Sequence, residues 1–174
     1  ITRHRAYGAH VLARSSISTP IGTLNLISND QILIASGFTD FNDLHALLDV
    51  DEQDMDFKKA SKVPAITDLI KDYFDGDLRA IDGISVRQPG ESFSQAAWKA
   101  MRKISPGRTL SYAELAKRSG SADAVRAAGS ACARNLVAVV VPCHRVVRTG
   151  GALGNYAYGL EAKEWLLRHE GALK

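Results

Sequence analysis

The sequence changes character at Pro89-Gly90, and this change constrains the fold more than any other feature. Before it, short apolar runs alternate with turn residues, a pattern typical of antiparallel strands. After it, helix-forming residues dominate and are interrupted by turns rich in Ser, Pro and Gly. We therefore predict an α+β protein with two domains, an N-terminal α/β domain at residues 1–89 and a mostly helical domain at residues 90–174.

The N-terminal domain is predicted to be built on a small antiparallel β-sheet. Its three strands are assigned to short apolar runs between turn signals, at residues 11–13, 23–27 and 31–35. Leucine spacing predicts one helix over residues 41–50, and a proline at the first helical position predicts a second over Pro64–Phe74. The remaining segments are predicted as a basic flexible arm at 1–9, a charged loop at 51–62 and a short strand at 84–86.

The C-terminal domain is predicted to be of the winged helix-turn-helix type. Its helices, with the alternative residues that could cap them, are 92–104 (Ser92 or Ser94), 112–118 (Thr109 or Ser111), 124–133 (Ser121 or Asp123) and 160–169. The second and third helices are short, and a glycine-containing turn separates them. This pair is the predicted DNA-binding element.

The third helix of this domain consists mostly of small residues around one arginine, Arg126. The small residues are Ala124, Ala127, Ala128, Gly129, Ser130, Ala131 and Ala133. Small residues allow close approach of the helix backbone to DNA, and they serve close helix–helix packing equally well, so both interpretations stay open. An arginine among these small residues has the size to fill the gap left by an extruded base.

The charge of +3 is divided unevenly along the chain. Residues 1–94 carry 9 Lys and Arg against 14 Asp and Glu, and residues 95–174 carry 13 against 5. A basic half of this size is typical of proteins that bind a polyanion, and nucleic acid is the predicted partner. The alternative is a solvated surface on which the charges are merely separated.

Residues Val139–Val147 contain Cys143, His144 and Arg145 in a valine-rich stretch. The valines predict a buried strand, and Pro142 predicts that the strand turns just before the cysteine. A thiol held there beside a histidine is a candidate nucleophile, because the thiolate is the reactive form and a nearby base can remove the thiol proton. The alternative is a cysteine that is simply buried in the core. Adjacent side chains on a strand point to opposite faces, so His144 need not contact Cys143 directly.

Composition excludes several classes of protein. The two cysteines, Cys132 and Cys143, are too few for a disulfide framework or a four-cysteine zinc site, which indicates a reducing compartment. No apolar run is long enough to span a membrane, and the first residues lack the apolar core of a signal peptide. We expect a cytoplasmic location, or a nuclear one in a eukaryote, and no membrane partner.

Several motifs together resemble the O6-alkylguanine-DNA alkyltransferases, also called methylated-DNA–protein-cysteine methyltransferases. The resemblance rests on the run Pro142-Cys143-His144-Arg145-Val146. It is supported, in the same order and spacing, by Ser111-Tyr112, Arg126-Ala127-Ala128-Gly129, Asn135, Gly154-Asn155-Tyr156 and Lys163-Glu164-Trp165-Leu166-Leu167. It covers residues 92–171, and the β-meander fits the family's variable N-terminal domain in outline.

The resemblance implies a single-turnover transfer of an alkyl group from O6 of guanine, with O4 of thymine as a second target. By this resemblance Cys143 is the nucleophile, His144 the base acting through a water, and Glu170 the group that orients the histidine. Tyr112 is the proton donor to guanine N3. Asn135 is the hinge residue between the recognition helix and the cysteine segment.

The resemblance also implies how the protein meets double-stranded DNA. The lesion nucleotide is flipped out of the stack from the minor groove, and Arg126 takes its place. The implied DNA-binding residues are Arg126, Ala127, Ala128, Gly129, Ser111 and Arg145. The implied base pocket is formed by Tyr112, Val146, Tyr156, Ala157 and Tyr158. A monomer without a cofactor or metal is expected, because the family's zinc-binding cysteines have no counterpart before Cys132.

Two other functions remain open at this point. One is a helix-turn-helix module that senses damaged DNA without reacting, which the presence of Cys143 disfavours. The other is a hydrolase that uses Cys143, His144 and Glu170, which leaves Arg126 and the basic half without a purpose. The sequence does not fix the range of lesions, the source organism, cooperativity on DNA or the presence of an upstream domain.

Overall fold

A computed structural model of the protein describes residues 11–174. The basic arm predicted at residues 1–9 lies outside the described residues. The chain divides into two compact units, the first ending at Pro89 and the second beginning at Gly90. The architecture is mixed α+β, as predicted. No helix within the described part of the chain is both long and apolar enough to cross a membrane.

The N-terminal unit is built on a four-stranded sheet with the order β3-β2-β1-β4. The strands are β1 (Leu12–Thr19), β2 (Gly22–Asn29), β3 (Ile32–Gly37) and β4 (Phe57–Lys59). The first three form the predicted antiparallel meander, with Ile17 opposite Leu24. Asp30 and Gln31 both have positive φ, as a two-residue hairpin turn between twisted strands requires.

Three α-helices and one short 3-10 helix complete the described part of the N-terminal unit: α1 (Phe41–His45), α2 (Val50–Gln53), α3 (Pro64–Phe74) and the 3-10 helix Ala80–Gly83. The predicted Pro64–Phe74 helix is confirmed. Its buried residues Ile66, Ile70 and Tyr73 recur with helical spacing. The single helix predicted over 41–50 is wrong, because Asp40 and Asp49 each cap a separate short helix.

Two further predictions for this unit need correction. The predicted loop at 51–62 contains β4, which pairs in parallel with β1, Leu12 lying opposite Phe57. The predicted strand at 84–86 is reduced to a single bridge between Val86 and Leu33. Both errors involve contacts between distant parts of the chain, which local residue patterns do not report.

The C-terminal unit contains four helices and one short parallel strand pair. In chain order the elements are α4 (Ser92–Arg102), β5 (Leu110–Ser111), α5 (Tyr112–Arg118), α6 (Val125–Arg134), β6 (Val146–Val147) and α7 (Leu160–His169). The indole nitrogen of Trp98 donates to the carbonyl of Ala131 at 2.9 Å inside the core, which joins α4 to α6. The helices lie where the sequence predicts them.

The helix caps differ from the prediction in two of three cases. Ser111 caps α5 through a complete capping box, because its hydroxyl accepts from the Glu114 amide and the Glu114 carboxylate accepts from the Ser111 amide. The residues before α4 and α6 are Glu91 and Ala124, and neither caps its helix with a side chain. The predicted serine and aspartate caps for these two helices are therefore wrong.

Candidate active site

The predicted strand through Val139–Val141 is wrong, and the correction explains how Cys143 is placed. The backbone turns at this point, and Val139 has a φ of 72° although it is buried and β-branched. Cys143, His144 and Arg145 then form one turn of 3-10 helix. The first residue after this turn, Val146, begins β6, which pairs with β5. The cysteine is therefore held at both ends by backbone structure.

Asn135 holds this irregular segment to the end of α6. Its side-chain amide donates to the carbonyl of Val141 at 2.8 Å, and its side-chain oxygen accepts from the amide of Val137 at 3.1 Å. Burial raises the pKa of the Cys143 thiol, and a hydrogen bond from the Asn135 side chain opposes part of that rise. The geometry places Asn135 where the predicted hinge residue would be, between the small-residue helix and the cysteine. That role remains a prediction.

A buried network of three charged or titratable side chains lies behind the cysteine. Glu170 Oε2 contacts His144 Nε2 at 2.8 Å and Arg145 Nη2 at 2.9 Å, and Glu170 Oε1 accepts from Arg145 Nε at 2.8 Å. Arg145 Nη1 donates to the carbonyl of Ile104 at 2.7 Å. All three side chains are almost completely buried.

The prediction that Arg145 binds DNA is therefore wrong. Its guanidinium is 1% exposed and is committed to Glu170 and the carbonyl of Ile104. A bidentate pair with a carboxylate balances the buried charge of Glu170. Arg145 thus belongs to the interior of the site, where it keeps Glu170 ionised.

The charges in this network define the protonation state of His144. Burial alone would raise the pKa of Glu170, but His144 and Arg145 outweigh it and the pKa is lowered. Burial lowers the pKa of His144 despite the attraction of Glu170. A neutral imidazole beside an acceptor-only carboxylate must carry its hydrogen on Nε2. The lone pair is then on Nδ1, which is buried and has no hydrogen-bond partner among the described residues.

Cys143 is a thiol rather than a thiolate in this environment at neutral pH. Burial raises its pKa, while the Asn135 side chain and the positive charge of Lys163 act in the opposite direction. The side chain is only 9% exposed. A nucleophile at this position therefore needs a base to remove its proton as it reacts.

Lys163 is a residue of the site to which the sequence analysis gives no role beyond its place in the family motif. It is fully buried, and its ammonium donates to the carbonyls of Val146 at 2.6 Å and Asn155 at 3.0 Å. Burial lowers its pKa, and its charge acts on both cysteine thiols. Nothing in a lysine followed by helix formers distinguishes this residue from a solvent-exposed one.

Tyr112 is oriented by the glycine-rich loop. The backbone of Asn155 hydrogen-bonds to its hydroxyl group, while burial raises its pKa. The chain passes close to this hydroxyl at Gly154, where a Cβ atom would lie 2.7 Å from the Tyr112 oxygen. Gly154 also has a φ of 77°. Both the conformation and the space thus require glycine at this position.

We expect Gly154→Ala to displace the Tyr112 hydroxyl and slow any reaction that uses it. The positive φ alone should cost about 1–3 kcal/mol of stability. Gly150→Ala is the matched control, because Gly150 has a φ of 92° in the same loop but open space around its Cβ position. Thermal unfolding and reaction rates measured on both variants should show similar destabilisation and a rate defect in Gly154→Ala alone. Equal rate defects would contradict the role given to the contact with Tyr112.

Tyr112, Cys143 and Gly154 line a cavity of about 770 Å³. Its described lining residues are Tyr112, Val125, Arg126, Gly129, Ser130, Cys132, Ala133, Cys143, Arg148, Gly154, Asn155, Tyr156 and Ala157. The predicted pocket residues Tyr112, Tyr156 and Ala157 are among them. Cys132 and Arg148 are lining residues that sequence reasoning did not assign to the pocket.

Two residues predicted for the base pocket do not line the cavity. Val146 is fully buried in β6, and Tyr158 packs edge-on against Tyr156 with ring centroids 5.8 Å apart. The carbonyl of Val146 is engaged by Lys163. Tyr158 thus contacts a lining residue, Tyr156, without lining the cavity itself.

The exposed face of α6 matches the predicted DNA-binding residues in part. Arg126 and Ala127 are exposed, and a Cβ atom added at Gly129 would meet nothing within 4 Å. Ala128 is completely buried, so its predicted contact with DNA is wrong; its small side chain serves helix packing. Ser111 is 9% exposed and caps α5, and its DNA contact stays a prediction.

Within residues 11–174, no cluster of three or more His, Cys, Asp or Glu side chains is arranged to hold a metal ion. Cys132 and Cys143 are both free thiols. The described site residues supply a thiol, an imidazole, a phenol and a buried ammonium group.

Comparison with known proteins identifies relatives of this chain. A model of the 6-O-methylguanine DNA methyltransferase DNA-binding domain matches residues 92–172. A methylated-DNA–protein-cysteine methyltransferase of Salmonella typhimurium is 36% identical over 93% of this chain and 97% of its own length. The Homo sapiens protein of that name is 49% identical over 47% of this chain and 40% of its own.

A solved structure extends the similarity to the fold. Mycobacterium tuberculosis OGT in complex with DNA has a TM-score of 0.75 and 28% identity, and the match covers 92% of this chain and 93% of that one. Fold and site thus define the class, a two-unit α+β protein in which a buried cysteine faces a cavity beside a short helix pair. The chain belongs to the methylated-DNA–protein-cysteine methyltransferase family, which confirms the resemblance drawn from its motifs.

Proposed function

We propose that this protein repairs DNA by transferring an alkyl group from O6 of guanine to Cys143, once per protein molecule. We propose O4 of thymine as a second target of the same displacement. The observation that carries the proposal is the Cys143 thiol on the wall of the cavity, followed in the chain by a buried histidine bound to Glu170. The names of the relatives support methyl transfer from DNA to a protein cysteine.

The first step is removal of the thiol proton. His144 Nδ1 is the base because Nε2 already carries the hydrogen donated to Glu170. The proton passes from the sulfur to Nδ1 through a water molecule, and Glu170 stabilises the imidazolium that forms. Arg145 keeps Glu170 ionised in the buried site, so the carboxylate can act in this way.

The second step is displacement at the alkyl carbon. The Cys143 thiolate forms a C–S bond as the bond between carbon and O6 breaks, and the electron pair of that bond moves onto the guanine. The Tyr112 hydroxyl donates its proton to guanine N3, so the base leaves in neutral form. The imidazolium then returns a proton to the Tyr112 oxygen through solvent. The products are S-alkylcysteine and unmodified guanine.

The reaction ends there because the product is a thioether. Its sulfur is a poor leaving group, and the site offers no mechanism to hydrolyse a C–S bond. The transfer changes no oxidation state, since the sulfur supplies the electron pair, and it therefore needs no redox cofactor. One protein molecule is consumed for each lesion repaired.

Access to O6 requires the nucleotide to leave the DNA stack. The exposed Arg126 at the start of α6 lines the mouth of the same cavity as Cys143, which supports its role in filling the vacated space. The exposed Ala127 and Ala133 and the half-buried Gly129 of α6 suit a narrow minor groove, where little sequence is read. We propose that a monomer acts in this way, in the cytoplasm or in a eukaryotic nucleus.

The decisive test is the intact mass of the protein after mixing with duplex DNA that contains one O6-methylguanine. We expect a gain of about 14 Da that maps to Cys143 and stops at one equivalent. Cys143→Ser should show no gain, and Cys132→Ser should still be modified at Cys143. The same experiment on a duplex that contains one O4-methylthymine tests the second substrate.

Other outcomes of the mass experiment favour other functions. Tight, salt-sensitive DNA binding without a mass change would indicate a damage sensor. Repeated turnover of an ester or amide substrate would indicate a hydrolase built on Cys143, His144 and Glu170. Modification at Cys132 with Cys143 intact would contradict the assigned nucleophile.

We expect Arg126→Ala to slow methyl transfer from duplex DNA by about tenfold, since unstacking a base costs a few kcal/mol that the arginine offsets in part. A second duplex carries the lesion opposite an abasic site, where extrusion is easier. There the defect should shrink towards wild type. Single-turnover rates on both duplexes give the comparison, and an equal defect on both would contradict the flipping role.

A further inference from the structure

A second arginine at the cavity has no role in the steps above. Arg148 lies directly after β6, is exposed and lines the same cavity as Arg126. Neither arginine has a side-chain hydrogen bond or ion pair with any described residue. Among the described residues that line the cavity there is no aspartate or glutamate. The two guanidinium groups are therefore not balanced by an acidic side chain in the cavity wall.

The backbone of Arg148 is fixed although its side chain is free. Its amide donates to the carbonyl of Ala152 at 2.8 Å, and its carbonyl accepts from the amide of Gly151 at 3.0 Å. The preceding residue, Val147, pairs with Ser111 in the short parallel sheet. An exposed charged side chain whose backbone is held by hydrogen bonds beside a cavity is well placed to bind an anion that arrives with the substrate.

We propose that Arg148 binds a phosphodiester group next to the flipped nucleotide and holds the DNA backbone at the rim of the cavity. This inference rests on the proposed function. A guanidinium group suits a phosphate because it offers parallel N–H donors and a permanent charge. Arg126 and Arg148 would then act on different parts of the DNA, the first on the base stack and the second on the backbone of the extruded nucleotide.

A different role for Arg148 has to be separated from this one. Its charge also lowers the pKa of Tyr112, although burial of the tyrosine raises it by more. Arg148 would then assist proton donation rather than DNA binding. The two roles differ in the substrate they need, since phosphate binding disappears when the substrate is a nucleobase without a backbone.

The test compares wild type with Arg148→Ala and Arg148→Lys on three substrates. They are a duplex with one O6-methylguanine, the same duplex with neutral methylphosphonates flanking the lesion, and free O6-methylguanine base. Transfer to Cys143 is followed by intact mass. Arg79→Ala is the control, since Arg79 is exposed in the N-terminal unit and is not among the described residues that line the cavity.

We expect Arg148→Ala to slow the reaction with the natural duplex by about tenfold, in line with the loss of one charge-assisted hydrogen bond. Arg148→Lys should recover part of this loss. The methylphosphonates should slow wild type and Arg79→Ala but leave Arg148→Ala unchanged. The rate on free base should be equal in all four proteins. The slope of the logarithm of the DNA-binding constant against the logarithm of the salt concentration should be smaller for Arg148→Ala by about one, which corresponds to one lost phosphate contact.

Two results would overturn the assignment. If Arg148→Ala slows the free base as much as the duplex, the arginine acts through Tyr112. If the methylphosphonates slow Arg148→Ala as much as wild type, another group binds that phosphate. Failure of wild type to transfer a methyl group from any substrate would instead overturn the proposed function, so the two failures are distinguishable.

Discussion

Glu170→Gln is expected to lower the free energy of unfolding by about 3–5 kcal/mol, because it leaves a buried charge without its partner. The Arg145 guanidinium donates two hydrogen bonds to the Glu170 carboxylate, whose negative charge balances its own. Glutamine keeps the shape of the side chain but removes this charge. His144 loses its ionic partner in the same change. Methyl transfer should therefore fall as well, even at temperatures where the variant stays folded.

Glu164→Gln provides a matched control on the same helix. Glu164 pairs with Arg168 at 2.7 Å on the exposed side of α7. Exposed pairs of this kind contribute at most about 1 kcal/mol, so denaturant unfolding should barely change. If both variants lose similar stability, the buried network is not the source of the effect.

The same network predicts how stability depends on pH. His144 has a lowered pKa, so below about pH 6.5 the unfolded chain binds a proton that the folded protein excludes. Glu170 also has a lowered pKa, so below about pH 4.5 the unfolded chain gains a second proton preferentially. Stability should be flat near neutral pH and fall in acid. In Glu170→Gln, the decrease in the free energy of unfolding below pH 4.5 that is due to Glu170 should be absent when measured by denaturant unfolding. If the variant loses stability below pH 4.5 as steeply as wild type, Glu170 is not its source.

The sequence predicts the positions of the regular elements in the C-terminal unit because their signals are local. Ser111 with Glu114 three residues later marks the start of α5, and apolar spacing marks α7. The strand prediction in the valine-rich stretch is wrong because the conformation there is set by a non-local contact. An apolar run of this length indicates burial, but it does not separate a strand from an irregular buried turn. Here the side chain of Asn135 binds the carbonyl of Val141 and sets the turn.

The chemistry of the site is predicted less evenly than its location. Cys143 and His144 stand out in the sequence, because their residue types are unusual within a valine run. Arg145 stands in the same valine run, but neither its partner nor that of Lys163 can be predicted, since basic residues in a basic half are interpreted as surface charges. Each is buried because its charged group hydrogen-bonds to residues distant in the sequence. Arg145 binds Glu170, and Lys163 binds the carbonyls of Val146 and Asn155. Such pairings depend on tertiary structure and leave no local pattern.

Lys163→Met is the second substitution with a large expected effect. Methionine keeps the apolar stem but removes both hydrogen bonds of the ammonium group, leaving the buried carbonyl of Val146 and the partly buried carbonyl of Asn155 without this donor. The unsatisfied carbonyl of Val146 should cost about 1–3 kcal/mol of stability, and that of Asn155 less because water can reach it. The exposed Lys99→Met on α4 serves as the control and should change little.

Reactivity separates the electrostatic part of this effect from the structural part. The charge of Lys163 opposes the rise that burial causes in the pKa of Cys143. Its removal should therefore shift the pH profile of Cys143 alkylation by iodoacetamide to higher pH, measured at a temperature where the variant is folded. Lys163→Arg, which keeps the charge, should shift the profile less. A variant that is destabilised but shows the wild-type profile would mean that Lys163 only joins the two segments and does not act on the thiol.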